Sequence, residues 1–157
     1  MKKIEIVLSI LIIMTLALKA QNVVAQTKED KQAIKATALN YIEGWYSADS
    51  ARMSIALAPD LIKRGFIIHP QTNHLTMDEV IYSQMVEWTG KKPNEFKQNP
   101  DIELEVEIID IGKNIAMVKS ISPNFIDYMH LGKIYGEWKI YNVIWEPNYR
   151  FLKKDKK

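Results

Sequence analysis

The 157-residue chain contains no cysteine. That absence excludes disulfides, thiolate catalysis, cysteine-ligated zinc and a lipid-modified N-terminal cysteine. Histidine is scarce as well. His69, His74 and His130 stand far from metal-ligand spacing and no carboxylate cluster accompanies them, so neither a metal site nor a cofactor is expected. Glycine occurs six times, and the Gly-Lys pairs beginning at Gly90, Gly112 and Gly132 lack the rest of a phosphate-cradling loop. There is no serine elbow.

Long apolar runs are lacking too. Ile6 to Leu18 is an almost unbroken stretch of 13, preceded by Lys2-Lys3 and followed by Lys19 and the small residues Val23-Val24-Ala25. A membrane span needs roughly 20 such residues. The pattern therefore predicts a secretory signal peptide over residues 1–25, with an uncleaved anchor as the alternative. Cleavage would leave an exported domain, periplasmic or secreted, over residues 26–152, with a charged tail at 153–157 and no membrane attachment. Nor is there a surplus of one charge. Lys2, Lys3 and Lys19 account for three of the 21 basic residues and Glu5 for one of the 19 acidic ones, leaving 18 of each sign. The basic bias thus belongs to the leader, and nucleic-acid binding gains no support. An exported domain without disulfides must be held by its core. About 130 residues can bury about two thirds of the unfolded surface, which suffices.

What is present is apolar pattern. Residues 27 to about 48 predict a first helix, with Thr27 and Asp30 as a weak cap and Ile34, Ala38, Tyr41 and Trp45 at helical spacing. Gly44 inside it would cost about 1 kcal/mol relative to alanine, which points to close packing against a neighbour. Asp49 or Ser50 caps a short second helix carrying Met53, Ala56 and Leu57, which Pro59 closes. A strand follows from Leu61 to His69, with Ile62, Arg64, Phe66 and Ile68 on one side and Lys63, Ile67 and His69 on the other; Pro70 ends it. Thr76 and Glu79 form a capping box for a third helix bearing Met77, Val80, Ile81, Met85 and Trp88. Residues 89–100 have no period and many breakers, consistent with a disordered loop or a lid over a pocket mouth. From Ile102 the alternation is clean: Ile102, Leu104, Val106 and Ile108 face inward, while Glu103, Glu105 and Glu107 face solvent or the rim of a dimer. Turns at 112–114 and 122–124 bracket a further strand, Ile115 to Ile121.

The segment Asp127 to Pro147 reads as a hairpin turned at Tyr135-Gly136. A strict period of two places Lys133 opposite Trp138, Leu131 opposite Ile140, Met129 opposite Asn142 and Asp127 opposite Ile144, all facing the helices. Tyr128, His130, Tyr141, Val143 and Trp145 then share the outer face, where an aromatic surface predicts a homodimer. Helices segregated to one face of an antiparallel sheet make an α+β domain.

Residues 38–46 with 56–64, and the hairpin from Asp127 to Pro147, resemble the putative lumazine-binding family of the nuclear transport factor 2-like superfamily, alongside ketosteroid isomerase-like and polyketide cyclase-like enzymes. The resemblance covers about residues 28–147. It implies a cone with a cystatin-like curve: three N-terminal helices on a strongly curved, mostly antiparallel sheet, a pocket between them, and dimers through the outer sheet face. Relatives often carry histidine where this chain has Ala58, so any proton transfer by that histidine would be missing here.

Two functions follow. The first is a binding module whose cone holds a small apolar or aromatic molecule against Tyr41, Trp45, Arg64, Phe66, Trp88, Met129, Trp138 and Asn142. The second is an isomerase or a dehydratase/cyclase with Asp127 as general base and Asn142, Tyr41 or Arg64 holding an oxygen. Against the second, Asp127 could simply cap its strand or pair with Arg64. A filled cone would leave only a structural partner domain. His69 falls at the sheet edge, His74 in a loop and His130 on the outer face, all poorly placed for catalysis.

Overall fold

The computed structural model describes residues 28–69 and 71–149. The expected signal peptide, the expected strand stop at Pro70 and the expected charged tail lie outside the described residues. The chain divides into two compact units, Met1–Gln32 and Ala33–Lys157. In the first, residues 28–32 are helical.

The second unit opens with α1, residues 33–47. Ile34, Ala38, Tyr41, Ile42 and Tyr46 recur at the helical period and are all buried. The helix ends with Ala48 in the left-handed region (φ 58°), and the Asp49 amide donates back to the Gly44 carbonyl at 2.9 Å. That pattern satisfies carbonyls the helix end would otherwise leave open. Asp49 also accepts from the Arg52 amide at 3.0 Å and so caps α2, Ser50–Ala56. Gly44 permits this tight corner: a Cβ there would lie 3.2 Å from the Met53 nitrogen. The close approach expected of Gly44 is therefore found at α2.

Strand β1, Leu57–Ile68, starts directly after α2 and runs through Pro59. The Thr76 capping box is not used. Residues Leu75–Ile81 instead form β2, antiparallel to β1, with Met77 opposite Phe66 and Ile81 opposite Ile62. Leu75, Met77 and Ile81 fit a period of two as well as a helix, and the open edge of β1 decides for the strand. Helix α3, Tyr82–Lys91, begins only there, where the Gln84 side chain accepts from the Ile81 amide at 3.1 Å. Residues 92–98 are ordered, which corrects the disordered loop. Lys92 donates to the Trp45 carbonyl at 2.9 Å, Asn94 caps the single turn α4, Glu95–Gln98, and Phe96 packs on Tyr46 at 6.0 Å between ring centroids.

The remaining strands are β3, Glu105–Ile111; β4, Ile115–Ile121; β5, Phe125–Ile134; and β6, Glu137–Pro147. The sheet order is β2-β1-β6-β5-β4-β3, and only β1 and β6 run parallel. Three helices on a mostly antiparallel six-stranded sheet make the expected α+β class. The core lies between α1, α2 and the inner sheet face, where Leu61, Val118, Met129, Ile140 and Val143 are buried. Each fully buried aliphatic side chain of this size contributes about 1.5–3 kcal/mol.

One departure moves residues between faces. Leu131 opposes Ile140 and Lys133 opposes Trp138 as expected, but His130 opposes Asn142, so Tyr141 is an extra residue in β6. This β-bulge reverses the parity of β6 beyond it. Met129 faces Val143, not Asn142, and Asp127 faces Trp145, not Ile144. The bulge sits where β5 offers Gly132, whose missing Cβ would lie 3.0 Å from the Tyr141 ring.

Candidate functional site

The inner face carries one buried ion pair among the described residues. Lys63 projects from β1 and Asp127 from β5, their side chains 10% and 1% exposed, with Nζ 2.8 Å from Oδ1. Tyr41 of α1 completes the cluster: its hydroxyl donates to the same Oδ1 at 2.9 Å and accepts from Lys63 Nζ. The Ser120 hydroxyl of β4 lies 3.4 Å from Asp127 Oδ2. The ammonium also sits over aromatic faces, 5.1 Å from the Tyr41 centroid, 5.1 Å from Trp145 and 5.9 Å from Phe125. Burial, and then the neighbouring Asp127 carboxylate, hold the Tyr41 hydroxyl well above the ordinary tyrosine value of 10.0. Tyr46, further along α1, is also raised, chiefly by burial.

A cavity of about 210 Å³ opens against this cluster. Lys63 and Asp127 supply its polar wall; Ile42, Trp45, Val80, Met85, Trp88 and Phe125 are among its apolar ones. Trp145 closes one side. Gly65 makes room for it, since a Cβ there would fall 2.5 Å from the indole ring. A larger depression of about 440 Å³ lies near the β3–β4 turn, lined by Ile115, Met117 and His130, and no buried polar side chain faces it.

The structure brings Tyr41, Trp45, Trp88 and Asp127 to this cavity and leaves the other expected wall residues elsewhere. Met129 and Trp138 are buried in the core without lining it. Arg64 and Phe66 sit on the outer face of β1, because β1 turns Leu61, Lys63 and Gly65 inward. Arg64 pairs with Glu79 at 3.2 Å and reaches Asn142 at 3.4 Å, so it neither lines the cavity nor pairs with Asp127. Asn142 moves outward through the bulge. The expected dimer face is corrected by the same shift: Tyr128 (44% exposed) and His130 are outward, whereas Val143 is fully buried and Trp145 lines the cavity. Ile144, expected inside, is exposed.

Sequence reasoning missed Lys63, Phe125 and Trp145. Two signals pointed to them. Gly65 in mid-strand marks a close approach, and its face is the face of Lys63. In β6 the large apolar residues fall at 138 and 140, then at 143 and 145, and that change of parity is the trace of a bulge. Among the described residues no group of three or more His, Asp or Glu side chains is placed to hold a metal, and no helix is long and apolar enough to cross a membrane.

No curated protein matches the sequence. Solved structures share its fold. An NTF2-like protein of unknown function from Shewanella baltica OS155 superposes with a TM-score of 0.59 at 20% identity, covering 76% of this chain and 94% of that one. Another from Silicibacter pomeroyi DSS-3 gives 0.59 at 14%, covering 78% and 98%. A ketosteroid isomerase-like protein from Erwinia carotovora atroseptica SCRI1043 gives 0.50 at 14%, covering 74% and 95%. The family described as Putative lumazine-binding matches residues 29–146. With that match spanning helices and sheet alike, the chain belongs to the Putative lumazine-binding family and carries its NTF2-like fold.

Proposed function

We propose that this protein is an exported domain, periplasmic or secreted, that binds a small apolar or aromatic molecule in the cavity between α1, α3 and the sheet. The observation that carries this reading is the convergence of a buried Lys63–Asp127–Tyr41 cluster on an otherwise apolar, tryptophan-rich hollow. Few polar groups in an apolar concavity are what orient a small ligand. The family's description supports a small-molecule ligand, and the basic-then-apolar leader supports export. A thermal-shift screen of small aromatic compounds tests the reading: a hit should raise the melting temperature, and Trp45→Ala should abolish that rise. Hits unaffected by Trp45→Ala would place binding elsewhere and refute it.

The domain is proposed to act as a homodimer through the outer sheet face, where Tyr128, His130 and Ile144 are exposed together. Light scattering should give twice the protomer mass, and Ile144→Glu should halve it. A second reading, an isomerase or a dehydratase/cyclase with Asp127 as base, is favoured by the position of Asp127 on the cavity wall. Its carboxylate, however, already accepts from Lys63, Tyr41 and Ser120, which suits anchoring better than proton abstraction. Turnover of any bound compound that vanished in Asp127→Asn at unchanged ligand affinity would decide for catalysis.

A further inference from the structure

The hydrogen-bond inventory of the cavity goes further and narrows the chemistry of the ligand, given that the cavity is a binding site. An ammonium has three N–H donors. Lys63 gives two of them, to Asp127 Oδ1 and to the Tyr41 hydroxyl. Tyr41 spends its own proton on the same carboxylate oxygen, so it has none for a ligand. Asp127 is 1% exposed, with Oδ1 accepting twice and Oδ2 turned toward Ser120. Two donors are left without a partner: the third N–H of Lys63, amid the rings of Phe125 and Trp145, and the buried indole N–H of Trp145 itself.

The formal charge of the cluster is zero. A ligand carboxylate reaching for that third N–H would share one ammonium with a second carboxylate already 2.8 Å from it, in a hollow with no other cation. It would lose hydration and meet like charge, and both effects oppose binding. A cationic ligand fares no better, since the Lys63 ammonium faces it and already neutralises the carboxylate. We infer that the cavity selects an uncharged, flat molecule bearing a hydrogen-bond acceptor, an aromatic amide or ketone, and discriminates against carboxylates and cations of the same shape. Asp127 on this account is a specificity-determining residue that acts through Lys63.

Benzamide, benzoate and benzamidinium share one outline and differ in charge, which makes them the probes. Each is titrated into the isotopically labelled protein and followed by the indole N–H signals of Trp45, Trp88 and Trp145. Like-charge juxtaposition in a buried site is severe enough that benzamide should bind at least roughly tenfold more tightly than either ion. Asp127→Asn, which leaves the ammonium uncompensated, should reverse the order and favour benzoate. Should that variant fail to fold, the doubly substituted Lys63→Met/Asp127→Asn protein, with no charge in the cavity, should lose affinity for benzamide without gaining any for benzoate. Benzoate equal to or tighter than benzamide on the unaltered protein would overturn the inference while leaving the cavity a binding site. Three probes that shift no indole signal at millimolar concentration would instead remove the binding-site reading itself.

Discussion

Lys63 and Asp127 are held inside by each other, so the two side chains must be judged as a pair. Removing one partner of a buried ion pair costs about 3–5 kcal/mol, because the other charge is stranded, whereas replacing both by apolar groups is often neutral. Lys63→Met should accordingly lower the denaturation midpoint steeply, and adding Asp127→Leu should restore most of the loss; a double variant no better than the single would refute the coupling. Tyr41 gives a second test. Its folded value lies above the unfolded one, so its contribution to stability is whole below about pH 10 and fades as the pH rises beyond it, since only the unfolded chain then ionises readily. Chemical denaturation followed from about pH 8 to about pH 12 should show that loss in the wild type and a smaller one in Tyr41→Phe. At this scale the sequence was half legible. The spacing of α1 exposed Tyr41 and Trp45, and the odd polar position in an apolar strand exposed Asp127. Lys63 stayed hidden because a lysine on one face of a strand and an arginine on the other look alike until something fixes which face is inside. Here the fixing contact is Trp145 lying against Gly65.

At the scale of elements, two junctions carry residues ill suited to their backbone. Ala48 and Tyr135 both have positive φ, 58° and 51°, where an L side chain costs about 1–2 kcal/mol. Ala48→Gly should relieve most of that at the α1 end, and Tyr135→Asn should suit the first position of the two-residue turn it forms with Gly136 (φ 86°). Each is expected to raise stability by about 0.5–1 kcal/mol, or a few degrees in melting temperature for a domain of this size. A fall in either case would mean that the native side chain makes a contact worth more than the strain. Element types and most boundaries were readable from period and punctuation. The exceptions share one cause, a local pattern with two solutions. Leu75–Ile81 satisfied helix and strand alike, and a partner edge far away in sequence chose. The hairpin's turn and first pairs were correct, but register counted from a turn holds only until a bulge intervenes, and that of β6 arises from the fit of Tyr141 to Gly132 across the strand pair.

Taken whole, the sheet of the second unit has its first strand pair joined to its last three through β6, which lies between β1 and β5. Backbone amides in the middle of such a sheet open only with global unfolding, whereas edges open locally. Hydrogen exchange should therefore be slowest in β5 and β6 and fastest in β2 and β3; equal protection across all six strands would contradict the order given. The α+β class and helix placement were legible because apolar period dictates layers. The parallel contact of β1 with β6 was not, since nothing local in either strand names a partner some eighty residues away. That contact has a temporal consequence. The joining strand is made last: until Pro147 emerges, the β1–β2 ribbon can pack on α2 and α3 but lacks the strand on which it pairs. A chain stopped ahead of β6 should therefore keep the β1–β2 pair and the β3–β5 strands apart, without the strand that joins them.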